Sequence, residues 1–247
     1  MFNVPPVILW LSAAMAFIHG ARAFLTSDQN LMLLLWFAFI PARYDAAQAA
    51  SVAFPGGVAA DIWTFVSYSF LHAEIMHLVM NLIWFLAFGS AVAWRFGAHR
   101  FLAFYAVTAA AGAVAYLFMH AGEYAPVIGA SAAISGAMAA ATRFVFADGG
   151  PLGFMRGRDM AAYKQPALPL WQSLKNRRVF TFLLVWFLLN FLFGLSAVSS
   201  ALTESSIAWE AHAGGFLIGL LLFRFFDPVP RTVPSVPLAP TGEDEEH

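Results

Sequence analysis

Long apolar runs without charge alternate along the chain with short polar stretches that hold most of the charges. Residues 1–21, 75–94, 101–122, 124–142 and 179–203 contain no Asp, Glu, Lys or Arg. A sixth apolar segment, residues 205–226, has Glu210 near one end and Arg224 near the other. A helix of about 20 apolar residues crosses the hydrocarbon core of a bilayer. The pattern therefore predicts an all-α, polytopic membrane protein with six transmembrane helices.

The connection between the first two predicted spans is long and partly apolar. Residues 31–40 are apolar but are followed at once by Pro41 and Arg43, so this segment is too short to span. We expect it to dip into the membrane, and we expect residues 41–60 to be loop. The membrane domain is predicted to cover residues 1–226. Residues 227–247, with their prolines and the acidic run at 243–246, are expected to form a disordered cytoplasmic tail.

The distribution of Lys and Arg predicts the orientation, because cytoplasmic loops carry an excess of these residues. With a cytoplasmic N-terminus, only Arg22 and Arg43 of the 13 Lys and Arg residues would lie outside. Both termini are therefore expected in the cytoplasm. Met1 leads almost directly into a span without an Arg- and Ser-rich transit segment, which favours the inner membrane of a bacterium, with a mitochondrial membrane as the alternative.

Composition agrees with a lipid environment and excludes several classes of function. Only 11% of the residues are charged, against about a quarter in a typical globular domain. The net charge is −1 and there is no basic stripe with interleaved aromatic residues, so no nucleic-acid partner is expected. The chain has no cysteine, which excludes a disulfide framework, a cysteine nucleophile and a thiolate metal site.

Polar residues on three of the predicted helices converge at one depth. Ser131 lies near the outer start of a stretch, residues 129–141, that is almost entirely Gly, Ala and Ser. His77 and Asn81 are four residues apart, which places them on one face at the outer start of the second helix. His212 lies about 10 Å down the sixth helix if that helix begins near residue 205. Each of these residues alone could simply be an interhelical hydrogen-bonding or packing residue.

The residue types fit acyl-transfer chemistry. A serine hydroxyl needs a positioned base to take its proton, and neutral His212 can serve Ser131 in this way. An oxyanion needs preformed donors, which His77, Asn81 and the backbone N–H of Ser131 could supply. The nearest acidic residue, Glu210, is two positions from His212 and points elsewhere on a helix, so a Ser–His dyad is expected.

A stripe of small residues could bring the two members of this dyad together. Ala211, Gly215 and Gly219 are spaced by four and could dock against Gly136 and Ala140 of the fourth helix. A metal site is not expected, because His72 and His77 are five apart and face different sides, and a His-Glu-x-x-His pattern is absent. No cofactor is expected either.

In order, spacing and membrane side, these motifs resemble those of the rhomboid intramembrane serine proteases, over roughly residues 60–225. The matching residues are His72, His77, Asn81, Gly129-Ala-Ser131 and Ala211-His212-x-x-Gly215-x-x-x-Gly219. The resemblance implies a rhomboid-like six-helix bundle, catalysis by Ser131 and His212, and oxyanion stabilisation by His77 and Asn81. It also implies single-span membrane proteins as substrates, cut near the outer membrane face after entering past the fifth helix. Trp186 and Phe187, in the aromatic run 180–193, would form the gate.

Several positions depart from the usual rhomboid pattern. Ala132 replaces a Gly after the serine, Thr64 replaces an Arg in the first loop, and Ser135 replaces an aromatic residue that stacks on the catalytic histidine. Residues 91–93 lack a Glu often found late in the second helix. The alternative functions are a catalytically inactive relative that binds membrane clients, and a small transporter. The spans lack both the paired broken helices and the acidic relay that a transporter would favour.

Overall fold

The structure is a computed structural model that describes residues 4–52, 54–147, 150–151, 160–194 and 208–230. Within these residues the fold is all-α. The helices are α1 Pro6–Arg22, α2 Ser27–Phe37, α3 Ala46–Ser51, α4 Gly57–Ser67, α5 Ile75–Phe96, α6 Ala98–Met119, α7 Ser131–Ala141, α8 Leu170–Lys175, α9 Arg177–Gly194 and α10 Trp209–Phe226. One isolated antiparallel bridge, between Phe39 and Val127, is the only strand-like pairing in the described ranges.

Two of the described helices are long and apolar enough to cross a membrane. They are α5 and α6, each of 22 residues, or about 33 Å at 1.5 Å per residue. The helices α1 and α7 are apolar but shorter. A π-helical turn at Phe85–Gly89 interrupts the α-helical pattern of α5. Length and composition therefore support two of the six predicted spans, and the number six stays a prediction.

The first connection contains more helix than the sequence indicated. The apolar segment at 31–40 forms most of α2, which Thr26 and Gln29 cap by exchanging side-chain-to-backbone hydrogen bonds. The region predicted as loop, 41–60, contains a 3₁₀ turn at Pro41–Tyr44, then α3, and then the start of α4. Asp45 accepts hydrogen bonds from the backbone N–H groups of Ala47 and Gln48 and so begins α3. These short helices satisfy backbone groups that an irregular loop at the membrane edge would leave unpaired.

The centre of the bundle is formed by α6, α7 and α10, which meet at glycine and alanine residues. A methyl group added at Gly219 would lie 2.5 Å from the Cα of Gly136, and one at Gly215 would overlap the carbonyl group of Ala132. The small-residue stripe thus docks onto the fourth predicted span at Gly136, as expected, and also at Ala132, while the expected contact at Ala140 stays a prediction. This close approach of the backbones fixes the depth of α10 relative to α7.

The fourth predicted span begins later than its charge-free sequence indicates. Val127 pairs with Phe39 in extended conformation, and Gly129 has a φ of 124°, which residues with a side chain rarely adopt. The helix α7 therefore starts only at Ser131. This break leaves Ser131 at the first position of a helix, directly after a tight turn.

A buried arginine ties together the other end of the bundle. Arg95 is fully buried and forms two 2.9 Å hydrogen bonds with the carboxylate of Asp227, while its Nη1 donates to the carbonyls of Tyr163 and Gln165. Asp227 follows α10 directly, so the chain is anchored at the point where the predicted tail begins. Residues 231–247, the larger part of that tail, lie outside the described residues.

Candidate active site

Ser131 and His212 meet at one end of the bundle. Ser131 is the first residue of α7, and His212 lies in the first turn of α10, which begins at Trp209 rather than near residue 205. The distance between Ser131 Oγ and His212 Nε2 is 2.7 Å, a hydrogen bond. Both side chains are partly buried. The two residues that the sequence paired are therefore in contact.

The second ring nitrogen of His212 contacts a residue that the sequence analysis did not identify. His212 Nδ1 lies 2.5 Å from Oδ1 of Asn190 on α9, and Asn190 Nδ2 donates to the carbonyl of Trp186, 2.8 Å away. Asn190 is the only Asn or Gln in the charge-free run 179–203. That isolated amide was the signal available in the sequence, but its partner depends on how α9 is rotated.

His77 lies beside the turn that precedes Ser131. A methyl group added at Gly129 would be 2.7 Å from His77 Nε2 and 3.8 Å from Ser131 Oγ. Glycine at this position therefore lets the His77 ring approach the backbone next to the serine. His72 packs against His77 with the rings nearly perpendicular and their centroids 5.2 Å apart.

His72 packs behind His77 and is shielded from solvent. His72 precedes the helix and is completely buried. Burial, followed by the neighbouring His77 and His19, lowers the pKa of His72 to about 3. His72 is therefore a neutral packing partner for His77 throughout the physiological pH range.

Asn81 is buried one helical turn after His77 and is held by its own helix. Its Nδ2 donates to the backbone carbonyl of His77 at 2.9 Å, which leaves one amide N–H for another partner. It forms no hydrogen bond with Ser131 or His212 in the described part of the chain. The structure thus brings Ser131, His212 and His77 close together and leaves Asn81 one helical turn further along α5.

Two departures from the rhomboid pattern are accommodated by neighbouring residues. The methyl group of Ala132 faces Gly112 of α6, where a side chain would overlap it, so glycine there provides the room. Ser135 donates its hydroxyl hydrogen to the carbonyl of Ser131, 2.7 Å away, and so bonds within α7. It offers no ring surface to His212.

The third departure, Thr64, is a buried member of a hydrogen-bonded pair in the first connection. Its hydroxyl lies 2.6 Å from the hydroxyl of Tyr44 and donates to the carbonyl of Ala60. Arg43 supplies an arginine to the same region, since it is buried, donates to the carbonyls of Leu35 and Pro55, and lies 3.4 Å from Asp61. From the sequence, Arg43 could be recognised only as an outer charge, because its partners Leu35, Pro55 and Asp61 form no motif.

Comparison with known proteins identifies the family. The Rhomboid domain family model matches residues 59–226. The chain is also similar to Rhomboid-like protease 3 of Toxoplasma gondii, with 28% identity over 146 residues, which are 56% of this chain and 49% of that protein. The chain thus spans about half the length of this curated relative. The resemblance inferred from the three motifs is confirmed: the chain belongs to the rhomboid family of integral membrane proteins.

Proposed function

We propose that this protein is an intramembrane serine endopeptidase that uses Ser131 as nucleophile and His212 as general base. Rhomboid proteins are in general intramembrane serine proteases, and the chain retains both residue types at matching positions. The observation that carries the proposal is the 2.7 Å hydrogen bond between Ser131 Oγ and His212 Nε2. This distance suits proton transfer from the hydroxyl group to the imidazole ring.

The reaction proceeds by acylation and deacylation. Ser131 Oγ attacks the carbonyl carbon of the scissile peptide bond while His212 takes the hydroxyl proton. His212 then gives this proton to the leaving amine, and the peptide C–N bond breaks. Water, deprotonated by His212, hydrolyses the acyl-enzyme and restores the serine.

The oxyanion formed in each step is stabilised by donors around Ser131. The backbone N–H of Ser131 lies at the first position of α7, where it has no partner within the helix. His77, beside Gly129, and the second amide N–H of Asn81 are the further donors. One donor of this kind is worth about 2.7–4 kcal/mol in the transition state.

Substrates are single-span membrane proteins, cut near the outer end of their helix and admitted past α9. The aromatic face of α9 supports this route, because Trp186 stacks on Phe216 of α10 with centroids 4.8 Å apart, and Phe187 contacts the same ring. Displacement of these rings opens a path to Ser131. The proposed setting is a bacterial inner membrane crossed six times, with both termini in the cytoplasm.

A fluorophosphonate probe tests the proposal without a known substrate. The purified protein in detergent is expected to be labelled, whereas Ser131→Ala and His212→Ala are expected to remain unlabelled while unfolding at the same temperature. Labelling that persists in Ser131→Ala would show that Ser131 is not the reactive serine. A well-folded wild-type protein that is not labelled would instead favour the inactive, client-binding alternative.

A further inference from the structure

We infer that Asn190 is a positioning residue that holds His212 in the tautomer needed to accept the proton of Ser131. The expected dyad would then become a Ser131–His212–Asn190 triad, in which the third member comes from α9 and orients the base. This inference rests on the proposed function, because the tautomer matters for catalysis only when His212 is the general base. The tautomer itself can be measured whether or not the protein cleaves a substrate.

The hydrogen bond to Trp186 determines which end of the Asn190 amide faces His212. A carbonyl oxygen only accepts hydrogen bonds, so the group that binds the Trp186 carbonyl at 2.8 Å is the NH₂ group. The amide oxygen is then directed at His212 Nδ1, 2.5 Å away. Because that oxygen has no proton to donate, His212 Nδ1 must carry the hydrogen and donate it to Asn190 Oδ1.

The protonation of Nδ1 has a direct consequence at Nε2. A neutral imidazole ring carries one proton, so a proton on Nδ1 leaves Nε2 with a free lone pair. Nε2 faces Ser131 Oγ at 2.7 Å and accepts its hydrogen. The bond to Asn190 thus selects the tautomer in which His212 can act as a base, as the third member of a catalytic triad does.

Asn190 also helps Ser131 to orient the His212 ring. Ser135 occupies the position where an aromatic ring would stack on His212, and its hydroxyl is bonded to the Ser131 carbonyl instead. No aromatic ring in the described ranges stacks on the His212 ring. Its orientation is therefore set by the hydrogen bonds at its two nitrogens.

The packing of α9 against α10 holds Asn190 in place. Trp186, whose carbonyl binds the Asn190 amide, stacks its ring on Phe216 of α10, one turn after His212. Phe187 contacts Phe216 edge to face at 5.5 Å. Asn190 is thus fixed both by its own helix and by the helix that carries its histidine partner.

The tautomer can be measured directly by ¹⁵N NMR of protein labelled at histidine, in detergent at neutral pH. The chain has 7 histidines, and comparison with His212→Ala assigns the His212 signals. We expect His212 to be protonated at Nδ1 in the wild type, and this preference to be lost in Asn190→Ala. Thr181→Ala, a polar-to-alanine change at an exposed site on the same helix, is expected to leave it unchanged.

The rate of fluorophosphonate labelling gives the second readout. Asn190→Ala is expected to react at least about 10-fold more slowly than wild type or Thr181→Ala, because the wrong tautomer of the base cannot accept the serine proton. Asn190→Asp keeps the accepting oxygen and is expected to retain labelling. In the pH profile of the labelling rate, the acidic limb of Asn190→Asp should move to higher pH, because a carboxylate stabilises the imidazolium ion and raises the pKa of His212.

These readouts separate failure of the inference from failure of the proposed function. Protonation of His212 at Nε2 in the wild type, or a tautomer that does not change in Asn190→Ala, would overturn the positioning role. A wild-type protein that has the Nδ1 tautomer but is not labelled by the fluorophosphonate would support the hydrogen bond between Asn190 and His212. It would contradict the proposed serine protease activity. Equal thermal unfolding temperatures of Asn190→Ala and Thr181→Ala would show that neither result reflects misfolding.

Discussion

Asn81 and His77 lie on the same face of α5, but their surroundings differ. His77 reaches the turn before Ser131, whereas Asn81 is bonded to the carbonyl of His77 and has one amide N–H to spare. Asn81→Ala is therefore expected to lower kcat by up to about 10²–10³-fold, the loss for one oxyanion donor, without abolishing activity. Cleavage of a membrane substrate at saturation measures this, and an unchanged kcat would remove Asn81 from the oxyanion site.

We expect His72 to make the stability of the fold dependent on pH. Its pKa is about 3 in the folded protein, against about 6.5 in an unfolded chain. Between these values the unfolded state binds more protons, so the contribution of His72 is present above pH 6.5 and is lost as the pH falls. From pH 7.5 to pH 5 the loss is about 2 kcal/mol, since it approaches 1.36 kcal/mol per pH unit only below pH 6.5.

Thermal unfolding in detergent at several pH values tests this contribution. The unfolding temperature of the wild type is expected to fall between pH 7.5 and pH 5, and His72→Phe, which cannot titrate, is expected to show a shallower fall. His99→Phe changes an exposed histidine on α6 and serves as the matched control. Identical slopes for His72→Phe and the wild type would contradict the assignment.

Contacts at glycine residues control the packing of whole helices. Gly215 of α10 faces the carbonyl group of Ala132, the residue after the nucleophile, with no room for a methyl group. Gly215→Ala must therefore push α10 away from α7 and separate His212 from Ser131. We expect a lower unfolding temperature and a loss of fluorophosphonate labelling of at least about 10-fold, since misplacement of about 1 Å can cost 10²-fold.

The matched control for Gly215→Ala is Gly20→Ala in α1. A methyl group at Gly20 meets no atom within 4 Å, and alanine favours a helix by about 1 kcal/mol over glycine. Gly20→Ala is expected to leave labelling unchanged and stability equal or slightly higher. If Gly215→Ala behaved in the same way, the close contact of α7 and α10 would not position the dyad.

The helices show which features the sequence could predict. The contact of Ser131 with His212 followed from small residues at 211, 215 and 219, because their period matches one face of a helix. The start of α7 did not follow from charge, since the extended pairing of Val127 with Phe39 depends on a distant part of the chain. Asn190 was missed because the apolar run around it has no polar face to define its rotation.

At the scale of the whole molecule, the two ends differ in the charges they hold. Arg95 pairs with Asp227, Lys164 donates to the Arg95 carbonyl and Arg143 to that of Leu168, so these residues share one end. At the other end, Arg22 donates to the carbonyl of His72 at 2.7 Å. The Lys and Arg count predicts that the Arg95 end is cytoplasmic, and this orientation stays a prediction.

Labelling of single cysteines in spheroplasts tests the predicted cytoplasmic location of the Arg95 end. The chain has no cysteine of its own, so each introduced cysteine is the only one that can react. Ala98 and Ala121 are both exposed; Ala98 is the first residue of α6 and Ala121 follows its last turn, so they lie at opposite ends of the bundle. A membrane-impermeant maleimide applied to spheroplasts is expected to label Ala121→Cys and to spare Ala98→Cys, while permeabilised cells label both. Labelling of Ala98→Cys alone in intact spheroplasts would place Ser131 on the cytoplasmic side. The positive-inside assignment, and with it cleavage at the outer face, would then be wrong.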